Sequence, residues 1–228
     1  MSRVEWNKPG EKYFEAGVDQ GVLYPRVGPG VPWNGLVSVR EDSSGGELES
    51  LHFDGIKYLD VAAAEDFQAT VEAFGAPHEF NASDGVKALS PGLYATQQPR
   101  KTFGLCYRTL LGNDLQGADC GYKLHLVYNC TATPSSRTHK TLAGNVTADT
   151  QSWGIYTVPP PANTFRPTAH LVIDSTKVNP YLMGNLETVL YGRDATGELS
   201  AIEASLPNIA EIILILSNPI SEFIEATV

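Results

Sequence analysis

Histidine and carboxylate are the side chains from which this chain could build chemistry, and they come together in two places. His125 shares a strand face with Lys123, and His170 shares one with Asp174. An imidazole beside a carboxylate can move a proton or hold a metal ion. His170 and Asp174, four residues apart on a strand, are separated by about 13 Å at ~3.3 Å per residue, too far to hydrogen bond or to share a metal. A third residue from a neighbouring strand would be required. Either histidine alone satisfies its hydrogen bonds at a strand edge or an interface. The three cysteines, Cys106, Cys120 and Cys130, form no CxxC pair and have no histidine at zinc-ligand spacing. They read as reduced, semi-buried apolar side chains. No Walker loop, nucleophile elbow, HExxH or dinucleotide glycine fingerprint occurs. The expectation is no catalytic residue, no metal site, no cofactor and no enzyme.

Binding chemistry is equally thin. Lys101 and Arg108 beside Tyr107 and Asn113 are too few cations for a nucleic-acid surface. The 26 acidic and 16 basic residues give a formal charge of −10, which repels phosphate. Residues 41–79 concentrate ten carboxylates (Glu41, Asp42, Glu47, Glu49, Asp54, Asp60, Glu65, Asp66, Glu72 and Glu79) against Lys57, and no Lys or Arg follows Arg193. Trp33, inside GVPWNG, is a core or interface anchor. The first residues lack the apolar stretch of a signal peptide, and no run approaches the ~18 apolar residues of a membrane span, so the expectation is assembly in a cytoplasm. The sequons at Asn81, Asn129 and Asn145 are then chance matches.

The elements that would position these residues are mostly strands. Residues 1–35 are rich in Gly and Pro with interspersed aromatics, which predicts an extended arm too broken for long regular elements. LVSVRED (residues 36–42) and ELESLHF (residues 47–53) flank Ser43-Ser44-Gly45-Gly46 and predict a hairpin. Asp54-Gly55 predicts a tight type I′ turn between LHF and IKYLDV. Residues 66–74 alternate strictly: Phe67, Ala69, Val71 and Ala73 take one face, and Asp66, Gln68, Thr70 and Glu72 a wet face. Residues 75–102, with three prolines, form a long irregular connection of the kind that carries function. Residues 103–129, FGLCYRTLLGNDLQGADCGYKLHLVYN, read as two strands around a Gly/Asn/Asp turn. Strands follow at 151–158, ended by Pro159-Pro160-Pro161, and at 169–175. Asn179-Pro180 opens a helix as N-cap and first residue, and Gly192 closes it. NIAEIILIL (residues 208–216) fits a buried strand or a short helix, of which the helix is preferred. With no βα alternation the chain is mainly β, a β-sandwich or open barrel with a packed helix. The organisation expected is an arm (residues 1–35), a β domain (residues 36–192) and an acidic C-terminal segment (residues 193–228) packing on it.

In chain order, GVDQGVLYP (residues 17–25), GVPWNG, EDFQATVEAF, FGLCYRT, GND, GYKLHLVYN and AHLVIDS (residues 169–175) resemble the major tail proteins of long-tailed bacteriophages of the siphophage type, particularly from phages of actinobacteria. The resemblance runs from about Gly17 to about Gly192. It implies a β-sandwich with a flanking helix, six copies closing into a ring, and rings stacking without a sheath into the tail tube through which the genome leaves the virion. Partners would be further copies of the chain, the tape measure protein, the tail terminator and distal tail or baseplate proteins, with DNA passing and not sticking.

On that reading Asp66, Gln68, Thr70 and Glu72 line the bore, and an acidic bore keeps DNA from adhering. Tyr24, Trp33, Phe80, Leu93, Tyr94, Tyr107 and Tyr128 are candidate subunit or ring contacts. Deleting residues 78–98 would leave monomers or rings unable to stack. Rival readings are a head decoration protein, a tail terminator, or a carbohydrate-binding module in which Trp33, Trp153, Tyr107 and Tyr122 form an aromatic platform.

Overall fold

A computed structural model describes residues 3–135, 137–139, 141, 148–162, 165–197 and 199–217. Asn145, Glu198, Glu222 and Glu225 lie outside the described residues. In chain order the strands are β1 Tyr13–Pro25, β2 Val31–Pro32, β3 Leu36–Gly45, β4 Leu48–Phe53, β5 Ile56–Ala62, β6 Glu65–Ala73, β7 Lys87–Ser90, β8 Leu93–Ala95, β9 Phe103–Asn113, β10 Gly117–Ala132, β11 Gln151–Thr157 and β12 His170–Asp174, followed by helices α1 Pro180–Tyr191 and α2 Ile209–Ser217.

The fold is mainly β, with all strand pairings antiparallel. One layer is β2-β1-β9-β10, with β12 along the middle of β10. The register of β10 shifts between Val127 and Cys130, where Asn129 takes a left-handed φ of 48°. Past that bulge β10 pairs with β11, and β11-β6-β3 forms the second layer. Leu23, Leu105, Tyr107, Val127, Val71, Ala73, Trp33, Phe80, Trp153 and Ile155 fill the space between the layers. The opposite face of the first layer, through Cys106, Leu124, Leu126 and Tyr128, packs on Met183, Leu186 and Leu190 of α1 and Ile209, Ile212 and Ile215 of α2. Cys106 and Cys130 are buried, one in each core.

Several local expectations hold. On β6, Ala69, Val71 and Ala73 are buried while Asp66, Gln68, Thr70 and Glu72 are not. Asn179 caps α1, its Oδ1 accepting the Tyr181 N–H at 2.9 Å, and Gly192 ends it at φ 78°. Asn179→Ala, which orphans that N–H, should cost about 1 kcal/mol, read as a lower urea midpoint at unchanged slope. The NIAEIILIL segment is helical, and Asn208 and Glu211 cap it reciprocally, each side chain accepting the other's backbone N–H at 3.0 and 2.8 Å.

Other expectations are corrected. Residues 1–35 contain a thirteen-residue strand, β1, paired along β9; register shifts between Ala16 and Val18 and between Asp19 and Val22 absorb Gly17 and Gly21 without ending it. The predicted hairpin of residues 36–53 does not form, because β3 pairs with β6 and β4 with β5. Gly45 and Gly46, both at positive φ, kink a continuing strand and do not reverse it. A Cβ on Gly45 would sit 2.3 Å from the Ala64 carbonyl oxygen, so glycine is required there. The connection 75–102 contains a short 3-10 turn, His78–Ala82, whose Phe80 enters the core, and the hairpin β7-β8.

Candidate functional site

Three features outside the packed cores could carry function. The first is the outer face of β11-β6-β3. Register places Ser38, Arg40, Asp42 and Ser44 beside Glu72, Thr70, Gln68 and Asp66, with Ser152 next to Glu72. Ser38 donates to Glu72 Oε2 at 3.0 Å, Gln68 Nε2 donates to Ser44 Oγ at 2.6 Å, and Arg40 pairs with Asp42 at 3.1 Å. Three carboxylates against one guanidinium leave this face wet and acidic. The four residues expected on a polar face thus share one, joined by partners on β3.

The second feature is an arm. Hydrogen bonds from Gly46 N to Ala64 O and from Ala63 N to Glu47 O, both 3.1 Å, carry the β3/β6 ladder into β4/β5. The result is one long hairpin from β3 to β6, reversed at Asp54-Gly55, whose φ values of 48° and 76° fit the expected type I′ turn. Every residue of β4 and β5 is exposed. Cross-strand pairs Glu49–Val61, Leu51–Leu59 and Phe53–Ile56 put five large apolar side chains on one face of this ribbon, Phe53 and Ile56 being 69% and 73% exposed. A two-stranded ribbon has no core of its own, and an uncovered apolar face of this kind marks a contact surface. Its composition was readable, but its exposure was not, since alternation gives the same pattern over a core.

The third feature is the histidine pair, united by the sandwich. Glu41 is opposite Ala69 in the β3/β6 register and so faces inward, towards β10 and β12. Its Oε1 lies 3.1 Å from His125 Nδ1 and accepts the Tyr107 hydroxyl at 2.6 Å; its Oε2 lies 3.9 Å from His170 Nδ1. His125 Nδ1 and His170 Nε2 are 3.2 Å apart. His125 stacks on Tyr107 with ring centres 4.6 Å apart, and His170 lies against Phe67 at 4.3 Å with the rings tilted by 33°. His125 Nε2 meets Thr109 Oγ1 at 3.0 Å, and that hydroxyl donates to Glu15 Oε1 at 2.5 Å. Glu15 also pairs with Lys123. With a proton on His125 Nδ1, its hydrogen bond, joined by that of Tyr107, holds the Glu41 carboxyl down to about 2 against its own burial. Burial pushes His170 down to about 4. Asp174, too far along the strand from His170 to pair with it, caps the turn at Thr176. Glu41, three strands away in the sheet order, is the residue that sequence reasoning did not associate with the histidines.

No protein-family model matches this chain, and no curated protein does. Solved structures similar at low identity include chains of two complexes. A chain of the sheath-tube complex of an extracellular contractile injection system (PVC, extended state) is 12% identical, with a TM-score of 0.34 over 75% of this chain and 94% of that one. A chain of the sheath/tube terminator of such a system is 11% identical, with a TM-score of 0.33 over 75% and 99%. Likenesses of that size carry no information on activity.

The expected contact residues divide. Trp33, Phe80 and Tyr107 are at most 2% exposed, and Tyr24 and Tyr128 are buried too. Their polar atoms are satisfied within the chain: Trp33 Nε1 donates to Gly75 O, Tyr24 to Leu190 O and Tyr128 to Pro207 O. All five are core residues of this chain. Leu93 and Tyr94, on the β7-β8 hairpin, are exposed. The aromatic platform of a carbohydrate-binding module is not present, since Trp33, Trp153 and Tyr107 are core residues and Tyr122 donates to Glu187. Deleting residues 78–98 would remove Phe80 from the core, so it tests folding before it tests stacking. Among the described residues no helix is long and apolar enough to cross a membrane.

Proposed function

We propose that this chain is the repeating subunit of a phage-type tail tube: copies close into six-membered rings, the rings stack without a sheath, and the genome leaves through the bore. The observation that carries the reading is the arm of residues 46–64. Its five large apolar side chains are exposed and belong to neither core, so they suit a groove on a neighbouring copy. The ordered segments from Gly17 to Gly192 that resemble major tail proteins support the same conclusion. The wet face of β6, with Asp66, Gln68, Thr70 and Glu72, lines the bore, where carboxylates repel passing DNA. Leu93 and Tyr94 add to contacts between rings. The tape measure protein, a terminator and distal tail proteins are the other partners, and no catalytic step is assigned.

Negative-stain electron microscopy of the purified chain tests the reading. Hollow tubes or stacked six-fold rings are expected, and dispersed monomers at high concentration would overturn it. In a reconstruction of such tubes, Asp66 and Glu72 should face the bore; finding them on the outer wall would reject the lumen assignment while leaving the tube intact.

A further inference from the structure

The inner rim of the sandwich holds an arrangement whose hydrogen bonds do not close without a positive charge. Thr109 has one hydroxyl proton, and at 2.5 Å it belongs to Glu15 Oε1, because a carboxylate accepts. The Thr109 oxygen therefore accepts from His125, which fixes the proton of His125 on Nε2. In the neutral ring this leaves Nδ1 as a bare lone pair, 3.1 Å from the Glu41 Oε1 atom and 3.2 Å from His170 Nε2. The Nδ1 and Glu41 Oε1 lone pairs repel in a largely closed site, and a His170 ring protonated on Nε2 relieves only its own contact with Nδ1. A proton on Nδ1 would relieve one pair. A metal ion between the three atoms relieves all of them.

The geometry points to a divalent-metal site formed by Glu41, His125 and His170, with Zn2+ as the ion it fits best. The ligand atoms offered by the three residues lie within 4.8 Å of one another. Zn–N and Zn–O bonds of about 2.0–2.1 Å in a tetrahedron place ligand atoms ~3.3 Å apart, close to the 3.1 and 3.2 Å edges already present. Two imidazoles and one carboxylate are a donor set that borderline first-row ions favour over Mg2+ or Ca2+. The outer contacts are those a metal site needs. Thr109, itself held by Glu15, accepts from the non-ligating nitrogen of His125, and the Tyr107 hydroxyl donates to the ligating carboxylate. Stacking on Tyr107 holds the His125 ring, and tilted contact with Phe67 holds that of His170. The histidine side chains are 6% and 12% exposed, whereas that of Glu41 is 40% exposed, which leaves an entry path and room for a water as fourth ligand.

The ion would clamp β3 to β10 and β12. Glu41 stands four residues before Gly45, where the arm leaves the sheet, so the clamp would fix the base of the arm against the rest of the subunit.

Titrating ZnCl2 into the chelator-treated full chain should show one equivalent bound with a Kd below ~1 µM and a rise of several degrees in Tm. Co2+ should give the visible spectrum of a tetrahedral site. Glu41→Gln and His170→Asn should each weaken binding at least tenfold, while His52→Ala on the arm should leave it unchanged. Independently of any variant, Zn2+ should move the 15N resonances of His125 Nδ1 and His170 Nε2 and spare those of His52 and His78. Substoichiometric binding, binding unaffected by Glu41→Gln and His170→Asn, or unmoved His125 and His170 resonances would overturn the site.

Discussion

On the proposed tube, the double substitution Phe53→Asp with Ile56→Asp should leave a normally folded chain that no longer assembles. Both side chains are more than two-thirds exposed and belong to a ribbon in which every residue is exposed. Surface changes of this kind alter subunit stability by no more than about 0.5 kcal/mol. Circular dichroism and the urea midpoint of the variant should therefore match the parent. Assembly is different, because the pair sits at the tip of the one apolar face of the arm. If each residue fills a neighbour's groove as an interface anchor, truncation costs about 2 kcal/mol or more per contact, and a buried carboxylate adds a desolvation cost. Two such losses multiply to a shift in the critical concentration on the order of 10³-fold. Each subunit in a tube carries the same defect, so no tube should be seen by electron microscopy or sedimentation at concentrations where the parent polymerises. Tubes forming at the parent's concentration would show that the arm is not a contact.

What the sequence disclosed about this molecule follows the range of the interactions involved. The Asn179 cap, the Gly192 terminus and the Asp54-Gly55 reversal depend on a few adjacent residues, and all three form as expected. The wet face of β6 depends on period-two alternation within one strand and is equally legible. Gly45-Gly46 misled because positive φ serves a turn and a strand kink alike, and only the distant pairing of β3 with β6 selects the kink. Phe80 lies in a segment without period, and its burial depends on Trp33, Phe103 and Trp153 arriving from elsewhere in the chain. The cluster of Glu41, His125 and His170 is the extreme case. Along the sequence Asp174 lies too far from His170 and a third residue from another strand is required, but only the folding of one layer over the other shows that it is Glu41.

Phe80→Ala discriminates between core and contact for the aromatic residues. Phe80 is 1% exposed, with its ring centre 4.7 Å from Trp33, 5.3 Å from Phe103 and 5.5 Å from Trp153. Removing the ring deletes the shared neighbour of three large side chains. A rigid sandwich on one side and the Trp33 indole, tied to Gly75 O, on the other leave little scope for collapse into the gap. The expected cost is about 3–5 kcal/mol, a large part of the ~5–15 kcal/mol that stabilises a domain. It should appear as a lower urea midpoint with unchanged slope, measured on dilute subunits before assembly. A residue whose role were contact between subunits would behave in the opposite way, keeping the midpoint of the dilute subunit and losing assembly alone. An unchanged midpoint for Phe80→Ala would therefore return Phe80, and Trp33 with it, from the core to the surface. The same logic pairs it with the arm variant: one change should lower stability and impair assembly through folding, the other should abolish assembly with stability intact.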